Sequence, residues 1–174
     1  MKTVFFDVDT QIDFLYPAGA LYVPGAESII GQIARLNRIA PVLISTADAH
    51  TENDPEFQVY PPHCIAGTLG QHKPAATLVG QIIVEKQALD CFSAPTLPAL
   101  LRELGAGRYV VYGVVTEICV KFAAFGLLKT GARVDIVTDA VKALDEKAAA
   151  LMFEEFRAAG GHLSSSEQIL GTYL

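Results

Sequence analysis

Three residue types that together make a working nucleophile stand far apart in the chain: Asp9, Lys86 and Cys119. A thiol attacks a carbonyl carbon well only as the thiolate. A neighbouring ammonium stabilises that anion, and a carboxylate can carry the proton between nucleophile, leaving group and water. Taken singly, each has an ordinary reading: Asp9 as a turn cap, Lys86 as a surface lysine, Cys119 as a core residue, since free cysteine is among the most buried types. A second set follows a short apolar run: Asp48-Ala49-His50, then Glu56, then His63. Two imidazoles and two carboxylates suit a divalent transition metal, and the Asp-x-His spacing lets both side chains face one ion. A single loop histidine is more often a solvated side chain. Here two of the chain's four histidines fall together with two acids.

The elements that must position these residues alternate in type. Thr3–Val8 reads as a short buried strand running into Asp9, and Ile29, Ile30, Ile33 and Leu36 recur at helical spacing within 26–37. Pro41–Thr46 is a second strand, Gln81–Glu85 a third that ends at Lys86, and Tyr109–Val115 a fourth. A helix is expected over Pro95–Leu104, stopped by Gly105, and a largely apolar one over Val120–Lys129. Cys119 then falls in the first turn of that helix, where the dipole lowers a thiol's pKa. Arg133–Thr138 and His162–Ser164 complete the strands, with a helix over Asp145–Ala159 capped by Asp145 and a short turn over Ser166–Leu170. The alternation predicts a three-layer α/β/α fold: a mostly parallel, Rossmann-like sheet of about six strands with helices on both faces, in one domain spanning 1–174. In such a sheet all strand carboxyl ends share one edge, so distant residues can converge there. The stretch Ala47–Pro74 has little periodicity and many turn formers, and a loop of that length in a compact domain is usually functional or disordered.

The totals exclude several classes. With 174 residues, 51% hydrophobic and 18% charged, the chain has enough apolar material for one sizeable core. A net charge of -6 without a basic cluster argues against nucleic-acid binding. No run is long enough to span a bilayer, and no signal core opens the sequence. Three widely spaced cysteines do not form a disulfide framework, so the expected location is cytoplasmic. Asp7-Val8-Asp9 has the Asp-x-Asp start of haloacid-dehalogenase-type phosphatases, but Gln11 stands where that pattern requires Thr, and Asp139 is a lone acid where a pair is needed. There is no Gly-x-Gly-x-x-Gly after the first strand and no P-loop.

The assembled residues resemble the isochorismatase-like cysteine hydrolases, and within them the nicotinamidases (pyrazinamidases). Asp9-Thr10-Gln11-Ile12-Asp13-Phe14 is similar to the family's opening Asp-x-Gln-x-Asp-Phe, Glu85-Lys86 with Phe92 to its lysine motif, and Gly113 to Cys119-Val120 to its Gly-x-x-Thr-x-x-Cys-Val nucleophile turn. Leu21–Ala26 resembles the segment after the opening motif, and Asp48-x-His50, Tyr60-Pro61-Pro62-His63-Cys64 and Gly67-Thr68-x-Gly70 the nicotinamidase metal loop.

The resemblance implies a triad of Asp9, Lys86 and Cys119, a cis peptide at Val114–Val115, and an oxyanion hole from the backbone N–H groups of Val115 and Cys119. It implies an aromatic pair, Phe14 and Tyr60, around the substrate ring. It also implies a divalent metal on Asp48, His50, Glu56 and His63, zinc first, with iron or manganese as alternatives. The activity implied is ammonia release from a small primary amide, nicotinamide first, through a thioester on Cys119. The alternatives are a carbamoyl or ureido amide, isochorismate, or a non-catalytic metabolite-binding domain on the same fold. Tyr60 stands where the family often has Trp, and the segment Ser93–Thr96 is short. Members of the family commonly form homo-oligomers, and no stripe of surface residues in this sequence marks an interface.

Overall fold

The apolar run Thr3–Val8 is buried from end to end and forms β1, at the middle of a six-stranded sheet. The computed structural model describes residues 1–173. The other strands are β2 (Leu43–Asp48), β3 (Ile82–Lys86), β4 (Arg108–Val114), β5 (Arg133–Lys142) and β6 (His162–Ser164), in the spatial order β3-β2-β1-β4-β5-β6. Every strand pair is parallel. A parallel strand covered on both faces reads as a continuous apolar run rather than an alternating one, as β1 and β4 do.

The helices are α1 (Ile12–Leu15), α2 (Ile30–Ile39), α3 (Thr96–Leu104), α4 (Lys121–Leu128), α5 (Glu146–Ala158) and α6 (Ser166–Tyr173). The chain steps from β1 towards β3 on one side and from β4 towards β6 on the other. Right-handed crossovers therefore place α2 on one face and α3, α4 and α5 on the opposite one. α6 packs beside α2, and α5 beside α4. The expected three-layer α/β/α arrangement is the one observed. Its core is built from Phe5, Phe6, Tyr109, Tyr112, Leu36, Leu127 and Phe156, all buried. No helix among the described residues is long and apolar enough to cross a membrane.

The topology reverses between β1 and β4, which opens a crevice beyond their carboxyl ends where open α/β sheets bind ligands. The two strands approach closely there. Gly113 has φ +120°, and a Cβ on it would lie 2.1 Å from the Val8 carbonyl oxygen, so a side chain would push β4 away from β1.

Several elements differ from the sequence expectation. The helix after β4 does not begin at Cys119. Thr116–Val120 is a wide π turn, closed by a 3.1 Å bond from Val120 N–H to Val115 O, and α4 starts only at Lys121. Strand β5 runs on past the polar Asp139 to Lys142 rather than ending at Thr138, with a register shift against β4 between Val111 and Gly113. That carboxylate accepts from the backbone N–H and hydroxyl of Ser166 and so caps α6, which extends to Tyr173. Asp145 caps α5 as expected, accepting from Lys147 N–H and Ala148 N–H.

Candidate active site

Asp9 follows β1, Asp48 ends β2, Lys86 ends β3 and Cys119 lies in the turn after β4, so four neighbouring strands deliver four side chains to one edge. All four are buried. The Lys86 ammonium is the hub. Its Nζ lies 2.9 Å from Asp9 Oδ2, 2.5 Å from Asp48 Oδ1 and 3.8 Å from Cys119 Sγ, and donates to the Ala88 carbonyl at 3.0 Å. Two carboxylates around one ammonium hold Lys86 protonated, with its pKa well above the ordinary lysine value despite burial.

Asp9 is fixed from several directions. Its Oδ1 accepts from Thr46 Oγ1 at 2.6 Å, its N–H donates to Thr46 O at 3.1 Å, and its backbone has φ +49°, in the left-handed region. Oδ2 lies 2.9 Å from Lys86 Nζ but receives no aligned hydrogen bond among the described residues, so it is an open acceptor at the site. Burial raises the Asp9 pKa above the usual carboxylate value, with Lys86 opposing that shift. The expectation of an acidified Cys119 does not hold in the resting site. Burial pushes its thiol well above the usual value, and Lys86 only partly offsets this.

The structure also brings together Asp48, His50, Glu56 and His63. His50 Nε2 lies 3.6 Å from Asp48 Oδ2 and 3.9 Å from Glu56 Oε1; His63 Nε2 lies 3.8 and 3.6 Å from the same two oxygens. Both imidazoles turn the same nitrogen inward. His63 Nδ1 faces the Pro61 carbonyl at 2.7 Å, which can only accept, so this nitrogen carries a proton and the neutral ring presents its lone pair at Nε2. His50 Nδ1 faces Asp54 Oδ2 at 3.0 Å, and its buried Nε2 has no hydrogen-bond partner. Burial lowers the His50 pKa, but the neighbouring Asp48, Asp54 and Glu56 carboxylates outweigh this and raise it to about 9. An orphaned buried nitrogen beside a second inward-facing imidazole and two carboxylate oxygens is a donor set that fits a divalent transition ion.

The sequence assigned no specific role to several contributors. Asp54 orients His50, and its position four residues on, before Pro55, is the only sequence hint. Gln11 grips the end of β2, accepting from Asp48 N–H and donating to Asp48 O, both at 2.8 Å. Asp13 accepts from Cys64 N–H at 2.7 Å and Ala20 N–H at 2.9 Å, tying the residue after His63 to the chain beyond α1. Gly70 must lack a side chain there, since a Cβ would lie 2.1 Å from Asp13 Oδ2.

A narrow cavity of only about 20 Å³ opens onto Cys119, far below the roughly 300–1,000 Å³ of ligand pockets. Phe14 and Tyr60 both line it and both flank His63, with ring centroids 5.3 and 6.4 Å from the imidazole. Leu21, Leu89, Ile118 and Leu144 supply further apolar wall. Leu144 is held in place because its N–H and that of Asp145 donate to Glu117 Oε1 at 2.9 and 2.8 Å. The peptide bond Val114–Val115 is cis, and Val115 and Cys119 both border the cavity.

The sequence matches the model of the isochorismatase domain over residues 3–168. The chain belongs to the isochorismatase family of hydrolases. It is 28% identical to a nicotinamidase of Acinetobacter baylyi, over 94% of this chain and 92% of that one. Among solved structures it is similar to PnC1 from L. infantum in complex with nicotinate, at TM-score 0.88 and 30% identity over 95% of this chain and 93% of the other. It is also similar to the pyrazinamidase of Pyrococcus horikoshii in complex with zinc, at TM-score 0.87 and 29% identity over 95% and 99%.

Proposed function

We propose that this family hydrolase is an amidohydrolase that releases ammonia from a small primary amide, nicotinamide being the leading substrate, with Cys119 as nucleophile. The observation that carries the reading is the position of Lys86 Nζ, within 4 Å of Asp9, Asp48 and Cys119 at once. One cation thereby links the thiol and its base to the histidine–carboxylate cluster. The L. infantum relative's nicotinate and the P. horikoshii relative's zinc support the substrate class and the metal.

In this reading the open oxygen of Asp9 takes the Sγ proton of Cys119 as the sulfur attacks the amide carbon, and Lys86 compensates the negative charge. The backbone N–H groups of Val115 and Cys119 receive the oxyanion. The tetrahedral species collapses by breaking the C–N bond, and Asp9 returns the proton to the departing nitrogen, which leaves as ammonia. A thioester remains on Cys119. Asp9 then takes a proton from water, the resulting oxygen nucleophile attacks the thioester carbon, and the sulfur leaves with that proton, giving the carboxylic acid and free enzyme. Phe14 and Tyr60 hold the ring so that the amide carbon faces the sulfur. Asp48, His50, His63 and Glu56 would hold a divalent cation, which would supply a Lewis-acidic anchor for the substrate.

The test is ammonia release from nicotinamide by the purified protein, before and after chelation and after return of zinc, iron or manganese. Turnover that is lost with chelator and restored by one of these ions is the expected result. Release from a carbamoyl or ureido compound but not from nicotinamide would overturn the substrate, and indifference to chelator would overturn the metal's part.

A further inference from the structure

A second buried ion pair lies beneath the site and takes no part in the steps above. Asp7, next to the carboxyl end of β1, is fully buried, and Lys73 reaches it from the loop that leaves the metal cluster, Nζ to Oδ2 at 3.0 Å with both side chains out of water. Asp7 Oδ2 also accepts from Asn37 Nδ2 and Ser45 Oγ, each at 3.1 Å, and Oδ1 accepts from Thr10 Oγ1 at 2.7 Å. Lys73 in turn donates to the Thr10 hydroxyl and lies 3.5 Å from the Thr10 carbonyl oxygen. Thr10 therefore has its hydroxyl clamped between the two charges and its backbone against one of them.

Thr10 is the residue after Asp9. On its other side, Gln11 N–H donates to Asp9 O at 2.7 Å, and Ile12 N–H donates to His72 O at 2.8 Å, one residue before Lys73. The left-handed backbone of Asp9, unfavourable for a residue with a Cβ, is thus held by the chain immediately after it. A buried ion pair is weak evidence for stability, since apolar residues of equal volume often serve as well. Its placement one residue from a strained carboxylate gives it a different use.

We propose that Lys73, through Asp7 and Thr10, is a positioning residue that sets the direction of the Asp9 carboxylate towards Cys119. This rests on the reading of Asp9 as the base. Loss of the clamp lowers kcat by about 10- to 100-fold, the scale on which a misplacement of about 1 Å acts, and leaves KM and metal content near the wild-type values.

The experiment compares Lys73→Met, Asp7→Asn, their double variant and Thr10→Val, with melting temperature, metal content, kcat and KM on nicotinamide, and the rate of Cys119 alkylation by iodoacetamide read by peptide mass. Lys73→Met alone leaves a buried carboxylate uncompensated and lowers the melting temperature. The double variant removes both charges and recovers it, while kcat stays low. Thr10→Val, which keeps shape and both charges, lowers kcat severalfold in a stably folded protein and serves if the charge variants do not fold. A double variant whose kcat returns together with its melting temperature, or a Thr10→Val protein with unchanged kcat and unchanged alkylation rate, overturns the inference. If the wild type releases no ammonia, the functional reading fails separately. The alkylation rate still tests the clamp, with a shift of threefold or more expected.

Discussion

The carboxylate of Asp48 is shared between Lys86 and the imidazoles: Oδ1 lies 2.5 Å from Lys86 Nζ, while Oδ2 faces His50 at 3.6 Å and His63 at 3.8 Å. The nucleophile and the metal-binding cluster therefore meet in one side chain, and a change in charge on either side is felt by the other.

Replacing Lys86 separates the two. Lys86→Met removes the cation beside Cys119 and Asp9 but no donor from the histidine cluster, and it ends the competition of an ammonium for Asp48. Turnover falls at least about 100-fold, in the range for loss of a group that stabilises charge developing in the transition state. Metal content by elemental analysis is retained. Loss of the metal together with activity would show that Lys86 organises the cluster rather than the thiol.

Asp54 touches His50 from behind and contributes no atom to the inward-facing set. Asp54→Asn keeps its size and lowers metal affinity about 10- to 100-fold, as other partners of metal-binding histidines do. Competition with a chromophoric chelator measures this, and an unchanged affinity would remove Asp54 from the metal site.

Burial raises the Asp9 pKa, and the proposed base must be ionised. The sign follows directly: activity is present above the raised value and is lost as pH falls through it. The acid limb of kcat/KM accordingly lies above the ordinary carboxylate value of about 3.9, in protein that is still folded by circular dichroism. A profile that stays flat down to about pH 4 would contradict the assignment.

Away from the site, Asp135 is buried in β5 and accepts from Arg108 Nε at 2.8 Å, Arg133 Nε at 2.9 Å and Arg133 Nη2 at 2.8 Å. Burial pushes its pKa up, but the two guanidinium groups prevail and hold it below the usual value. The stabilisation is therefore present above the unfolded-state pKa and lost as pH drops through the folded one. Asp135→Asn destabilises by roughly 2–3 kcal/mol, below the usual range for a broken buried pair because Arg133 is half in water. Urea denaturation at neutral pH measures it, and the difference narrows in acid.

What the sequence made legible follows from the geometry of parallel strands. Asp9, Lys86 and Cys119 could be grouped because each stands at a strand's carboxyl end, and all such ends share one edge. Asp48, His50, Glu56 and His63 could be grouped by donor type. The π turn at Thr116–Val120 was hidden, because an apolar run carries no mark of where a helix begins. Lys73 was hidden for another reason. A lysine before a proline in a long loop reads as solvated, and only the folded path of that loop under β1 buries it against Asp7. Asp54 orients His50 only because the loop curls back over four residues.

The measurement that bears most directly on the account is ammonia release from nicotinamide by metal-loaded Cys119→Ala beside the wild type, with matched melting temperatures. Cys119 is buried at the cavity floor and forms no ladder bond through its side chain, so the variant keeps the fold. The account predicts ammonia release by the wild type and none above background from Cys119→Ala. Turnover by the variant within tenfold of the wild type would contradict it.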